Sequence, residues 1–509
     1  MKHAYTLADL QELDERCRVE AEKFGLPLPQ VLFHLMQSEE IYDISARGLP
    51  GRYSHHFFGR IYQEEKNNYD TGKSRIYEII INTRPVYAYL LDGNSVITQL
   101  LVMAHCYGHA AFFENSKYFV PADKNILPRV RSAAERIDGY MGEYGREKIE
   151  DFIDACIALQ DQRSYDILAK RPEAKPPKWE DKPFDSLFPQ ETEKRRKEWK
   201  RDKEAFRVKF PKQPERDILA FIEAHSHYLE DWQKDIISII RTEQEYFVPQ
   251  KRTQVLNEAT AVFYHKHIVQ KLMAEDDRFT TQDFMEFQAM DARVLHPAIH
   301  IHTDDFGEKM VHCAGINPYL TGTAIFNEVK RLCENPDEDD HERWPWAGQI
   351  SFEEKRNQII TRYDDAAAVA EFITPRVCEE AKLFIRPRTV EEYKDLRVLK
   401  DEAEEVRRQC VELKTTFGIP HIEITNADWQ RQSILYLEHT HTDKGLDDEY
   451  TQGTIIHLAN LWGHRVVVET VQGQDPRNLQ KVWYSCRPEE SPKKFNTYEA
   501  LVKNVASDG

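Results

Sequence analysis

The chain has 509 residues, 41% hydrophobic and 31% charged, which suits a soluble globular protein of about two to four domains. A formal net charge of -18 argues against nucleic acid as a partner, because phosphate binding needs concentrated Lys and Arg. No run is expected to reach the ~18 apolar residues of a membrane span, and residues 1–37 lack the apolar core of an export signal. The eight cysteines are scattered without a C-x-x-C pair, so the thiols are expected to be reduced and the location cytoplasmic.

Residues 7–24 form an amphipathic pattern with Leu10, Leu13, Cys17 and Ala21 on one stripe, and Pro27 and Pro29 follow it. A second helix is predicted over 31–46. A Gly/Pro loop with His55-His56 comes next, then a β-branched run at 77–82 that predicts a strand. Thr83-Arg84-Pro85 breaks it. Residues 94–115 then predict one buried helix, capped by Asn94 or Ser95.

Helical character continues over 129–167. Residues 168–216 are Pro-rich and then almost wholly charged, which predicts an exposed excursion: an extended linker followed by a solvated helix. Helices are predicted at 217–247 (stopped by Pro249), 253–274, 318–333 and 351–383. From about 386 the texture changes to strands at HIEIT, SILYLEHTHT and RVVVETV, with a helix at 450–462 closed by Gly463. The expected architecture is mainly α (α+β): a helical core over 1–385 with the 168–216 excursion, and a small α/β domain over 386–509.

His105 and His109 carry the chemistry. At i, i+4 both imidazoles leave one face of the helix, about 6 Å apart at Cβ. That face is apolar, so each ring needs a hydrogen-bond partner or a metal. Glu258 falls on the stripe of Ala261, Val262, His265, Val269 and Leu272 in the 253–274 helix. A carboxylate on an apolar stripe needs a cation or strong donors; the bland alternative is an ion pair with Arg84 or Arg241.

His-x-x-x-His on one helix and Asn-Glu on a later one is the ligand layout of the gluzincin metallopeptidases. Two imidazoles and one carboxylate suit zinc with one open position, where a water is acidified to a pKa near 7. The motif is incomplete, because the general-base Glu that follows the first His is Cys106 here. Substitutes for the base are Glu114, His265 and Tyr107, with Glu243 and Glu245 behind them; Cys106 as a nucleophile is the weaker alternative. Further candidates are His300 with His302 as a second metal site, His439 with His441 on a strand face, and Arg84 as an anion holder.

Several long segments together resemble the stage V sporulation protein R (SpoVR) family: INTRPVYAYLLDGNS, MAHCYGHAAFFENS, DWQKDIISIIRTEQEYFVPQ, the Asn257-Glu258 helix, INPYLTGTAIFNEVKRLCE and LANLWGHRVVVET. Order and spacing match from about residue 5 to 475. The resemblance implies a bacterial cytoplasmic protein linked to spore cortex formation. It also implies partners such as a serine protein kinase and a von Willebrand-type protein. The family's Asn-Glu-Gly-Trp-Ala is Asn257-Glu258-Ala259-Thr260-Ala261 here. The stretch HPAIHIHTDDFGEKMVHCAG (296–315) looks longer than is typical of the family it resembles.

Two functions follow as expectations. One is a zinc-dependent hydrolase of an amide bond, acting on peptide-like or cell-wall substrates, with His105, His109 and Glu258 as ligands. The other is a non-enzymatic regulator or scaffold.

Overall fold

The computed structural model describes residues 5–70, 78–165, 189–206, 215–441, 445–473 and 479–507. The fold is mainly helical, with small sheets and a strand-rich C-terminal region. By compactness the chain forms two units, Met1–Asp138 with Glu245–Gly418, and Gly139–Gln244 with Ile419–Gly509.

The first unit is built around helix Val96–Asn115. The Ser95 hydroxyl caps it by accepting the Thr98 N–H at 3.2 Å. Its residues are apolar on nearly every side, and a helix of that kind must be buried. Contrary to the expectation from sequence, it is long and apolar enough to cross a bilayer; 94% of that apolar window is buried inside the protein, which makes it a core helix.

This histidine helix packs on helices Leu7–Glu22 and Gln254–Glu275, and the latter packs on Pro318–Glu334. Two glycines set how closely these helices approach. A Cβ on Gly108 would stand 2.5 Å from Ala261 Cα, and one on Gly322 would stand 2.4 Å from the Val255 carbonyl oxygen. Backbone therefore meets backbone on both sides of Gln254–Glu275.

A three-stranded sheet lies beside the histidine helix. Strand Val86–Leu91 is central, with Val31–Met36 parallel on one side and Glu78–Ile81 antiparallel on the other. Val31–Met36 corrects the helix predicted over 31–46. Pairing with Val86–Leu91 supplies the backbone partners for this apolar run. The helix starts only at Ser38–Arg47, where the Glu40 carboxylate accepts the Gln37 N–H at 3.1 Å.

Pro249 also behaves differently from expectation. The 217–247 pattern splits into Ile218–His225 and Asp231–Arg252, and Pro249 sits inside the last turn of the second helix rather than ending it. The 351–383 pattern resolves into Phe352–Arg362, Asp365–Phe372 and Pro375–Ala381, each started by a side-chain cap from Ser351, Asp364 or Thr374. Residues 386–418, assigned from sequence to the small domain, lie in the first unit. Helix Lys400–Thr416 buries Ala403, Val406 and Cys410 in its core, and Lys414 pairs with the buried Asp365 at 3.1 Å.

The second unit holds a five-stranded sheet in the order Lys493–Phe495, Gln480–Cys486, Val466–Gln472, Ile434–Thr440, His421–Trp429. Only the pair Ile434–Thr440 and Val466–Gln472 is parallel. Helix Asp448–Trp462 makes the crossover between those two strands, and Gly463 ends it at a φ of 76°. The predicted solvated helix is present as Pro189–Phe206. The Pro-rich linker before it falls at 166–188, outside the described residues.

Candidate metal centre

Four elements bring side chains to one point. The histidine helix supplies His105 and His109, both buried. Helix Gln254–Glu275 supplies Glu258, whose Oε2 lies 3.5 Å from His105 Nε2 and 3.6 Å from His109 Nε2. Edge strand Glu78–Ile81 supplies Glu78, whose Oε1 lies 3.6 Å from His105 Nε2. Glu78, His105 and His109 offer ligand atoms that all lie within 4.8 Å of one another. Helix Pro318–Glu334 supplies Tyr319, which stacks on His105 at 6.1 Å between ring centroids and whose hydroxyl helps keep the Glu258 carboxylate ionised.

These separations are too long for hydrogen bonds and suit a shared cation. Ligands about 2.1 Å from a tetrahedral ion stand about 3.4 Å from one another. Two of the buried atoms concerned, His105 Nε2 and Glu258 Oε2, have no hydrogen-bond partner. Leaving a buried charged acceptor unsatisfied costs about 1–3 kcal/mol or more.

The far side of each ring is tied down. His109 Nδ1 lies 3.0 Å from Asn257 Oδ1, an acceptor, so Nδ1 carries the proton and Nε2 presents its lone pair. His105 Nδ1 lies 2.9 Å from His265 Nδ1, and His265 Nε2 lies 3.1 Å from Asp291 Oδ1. His265 Nε2–H donates to Asp291 Oδ1, so the unprotonated His265 Nδ1 accepts from His105 Nδ1. His105 Nε2 is then also directed at the carboxylates. Partners of this kind fix the tautomer and orientation of metal-ligating imidazoles.

The electrostatics point the same way. Burial lowers the His109 pKa to about 4, only partly offset by Glu258, and burial likewise holds His265 at about 4. Burial opposes charge on His105 too, but the Glu258 and Glu78 carboxylates outweigh it and hold its pKa above the usual value. Burial raises Glu258, but His109 and His105 outweigh that and keep it below the usual carboxylate range. Burial pushes Glu78 up. Two carboxylates around two imidazole nitrogens in a buried pocket leave a need for positive charge.

The residues singled out in the sequence have different outcomes in the structure. His105, His109 and Glu258 come together, and His265 stands directly behind His105. Tyr107 and Glu114 have other partners: Tyr107 donates to Asp14 Oδ1 at 2.5 Å, and Glu114 pairs with Arg84 at 2.6 Å. Glu243 and Glu245 lie on helix Asp231–Arg252, outside this group. Cys106 is buried and its thiol pKa is pushed well up by burial, so it is not a thiolate nucleophile at neutral pH. Arg84 pairs with Glu114, not with Glu258. His439 is satisfied by the Thr470 hydroxyl at 2.8 Å.

Glu78, Tyr319 and Asp291 went unnoticed in the sequence. For Glu78 the available signal was one carboxylate opening an otherwise apolar strand, EIII.

The family model described as SpoVR like protein matches residues 4–419, and that of the SpoVR-like C-terminal domain matches 420–473. The chain belongs to the SpoVR family. Every residue of the candidate centre lies within the larger match, and the junction of the two matches falls one residue past the unit boundary after Gly418. Among curated proteins the chain is similar to the uncharacterized protein YcgB of Escherichia coli (strain K12), at 29% identity over 456 residues, covering 86% of each chain. No solved structure matches.

Proposed function

We propose that this SpoVR-family chain is a zinc-dependent hydrolase of an amide bond, with His105, His109 and Glu258 as the protein ligands. The observation that carries this reading is the pair of imidazole Nε2 atoms facing one carboxylate oxygen at tetrahedral-edge spacing, with both rings anchored from behind. Zinc in such a set acidifies a water to a pKa near 7 and polarises a carbonyl oxygen.

The chain's own residues divide the remaining work. Glu258 approaches both imidazoles, so it completes a three-ligand face. Glu78 approaches His105 more closely than His109 and comes from an edge strand, which supports assigning this second carboxylate to the open position rather than to the ligand set. Its raised pKa suits a group that takes up a proton there, the task that Cys106 cannot perform. Tyr319 keeps its hydroxyl proton, since burial and the nearby Glu258 and Glu78 carboxylates push its pKa up.

The substrate class rests on the family resemblance: peptide-like amides, including those of peptidoglycan and spore cortex, met in the cytoplasm. The resemblance also suggests a serine protein kinase and a von Willebrand-type protein as partners.

The test is hydrolysis of a panel of muropeptides and peptide amides by zinc-loaded protein. The reading expects turnover by the wild type, and a loss of at least 100-fold in Glu78→Gln with zinc content unchanged. Zinc loss in Glu78→Gln would instead make Glu78 a fourth ligand. That would close the site and favour the structural, regulatory alternative.

A further inference from the structure

A second histidine group lies away from the buried centre, on the hairpin of strands Ile299–Thr303 and Lys309–Cys313. Strands Ile299–Thr303 and Lys309–Cys313 form an antiparallel hairpin, with His300 opposite His312 and His302 opposite Met310. Residues directly opposite each other share a face, and so do residues two apart on one strand. His300, His302, His312 and Met310 therefore occupy the four corners of one small rectangle. Val311, on the other face, is buried in the first unit's core, so this rectangle is on the outward side.

The rings are already gathered. His302 and His312 stand 4.6 Å apart between centroids, and His300 and His302 are parallel to within 1° at 6.5 Å. His300 and His302 are exposed, so their rings turn about their side-chain bonds at little cost. His312 is half-buried, and its Nε2 is buried with no hydrogen-bond partner. A buried nitrogen left unsatisfied is destabilising, and a bound ion would satisfy it.

We propose that this hairpin face is a second metal site, separate from the buried centre. It would bind an imidazole-seeking first-row transition ion through His300, His302 and His312, with the Met310 thioether beside them. Copper is the expected best occupant: Cu²⁺ binds nitrogen ligands most tightly among the divalent first-row ions, and a thioether favours Cu⁺. The inference does not depend on the hydrolase reading.

The test uses the full chain. Wild type, His300→Ala/His302→Ala and His312→Ala are loaded with copper(II), passed through gel filtration and assayed for copper per chain. Electron paramagnetic resonance then reads the nitrogen ligands. The wild type should hold one more copper than the double variant, with an additional nitrogen hyperfine component that the double variant lacks, and His312→Ala should bind that copper at least tenfold more weakly. Equal copper in the wild type and the double variant would overturn the proposal, as would a wild-type spectrum without nitrogen ligands. Because only exposed side chains change in the double variant, a fold defect does not explain its loss. A failure of the buried centre would leave the wild-type excess over the double variant intact.

Discussion

The buried centre and the histidine hairpin use the same side chain in opposite settings. In the centre, His105 and His109 come from one helix turn, but Glu258, Glu78 and Tyr319 arrive from three other elements. Each imidazole is held from behind by Asn257 or by the His265–Asp291 pair. On the hairpin, a single turn brings all three imidazoles together, and two of them face solvent. The centre is costly to build: it buries charge and orients its nitrogens through Asn257, His265 and Asp291. The hairpin costs the fold little and has no comparable framework, so any ion there must do the gathering.

This contrast can be broken first at the helix contact. Gly108→Val puts a side chain where Ala261 Cα already stands at 2.5 Å. The expected loss is about 3 kcal/mol or more of stability, read from denaturant midpoints, together with loss of zinc. If the variant is as stable as the wild type, the close approach does not build the centre.

The anchors behind the rings come next. His265→Ala and Asn257→Ala should each weaken zinc binding by about 10–100-fold without removing a ligand, measured by competition with a chelator. Unchanged affinity would mean that the tautomers are not set by these partners. Tyr319→Phe removes the hydroxyl that favours the ionised Glu258 carboxylate and should weaken zinc binding by about fivefold, the equivalent of about 1 kcal/mol. The hairpin marks the lower end of the scale. His300→Ala/His302→Ala should change the stability of the metal-free fold by no more than about 0.5 kcal/mol, because these side chains are exposed. A larger loss would show that the hairpin face supports the fold.

The same contrast explains what was legible in the sequence. His105 and His109 declare themselves by i, i+4 spacing on an apolar helix, and Glu258 by a charge on an apolar stripe. His300 and His302 show an i, i+2 spacing that fits a strand. Glu78 does not declare itself: one carboxylate at the start of a short strand has no periodicity to contradict, and its neighbours at the site are set by tertiary folding. Asp291 and Tyr319 are hidden for the same reason.

Among the elements, strong periodic helices such as Gln254–Glu275 and Pro318–Glu334 were readable. Val31–Met36 was not, because its pairing with Val86–Leu91 spans a long stretch of chain and overrides local pattern. The placement of 386–418 was hidden as well. A charged helix looks like a surface helix until three small residues on one stripe, Ala403, Val406 and Cys410, are seen to pack into the first unit.

Zinc content per chain in purified His105→Ala, His109→Ala, Glu258→Gln and Glu78→Gln proteins, each made in the His300→Ala/His302→Ala background, tests the central claim most directly. The account predicts one buried zinc in the background protein and in Glu78→Gln, and none in the other three. Zinc retained by Glu258→Gln, or by both histidine variants, would contradict it.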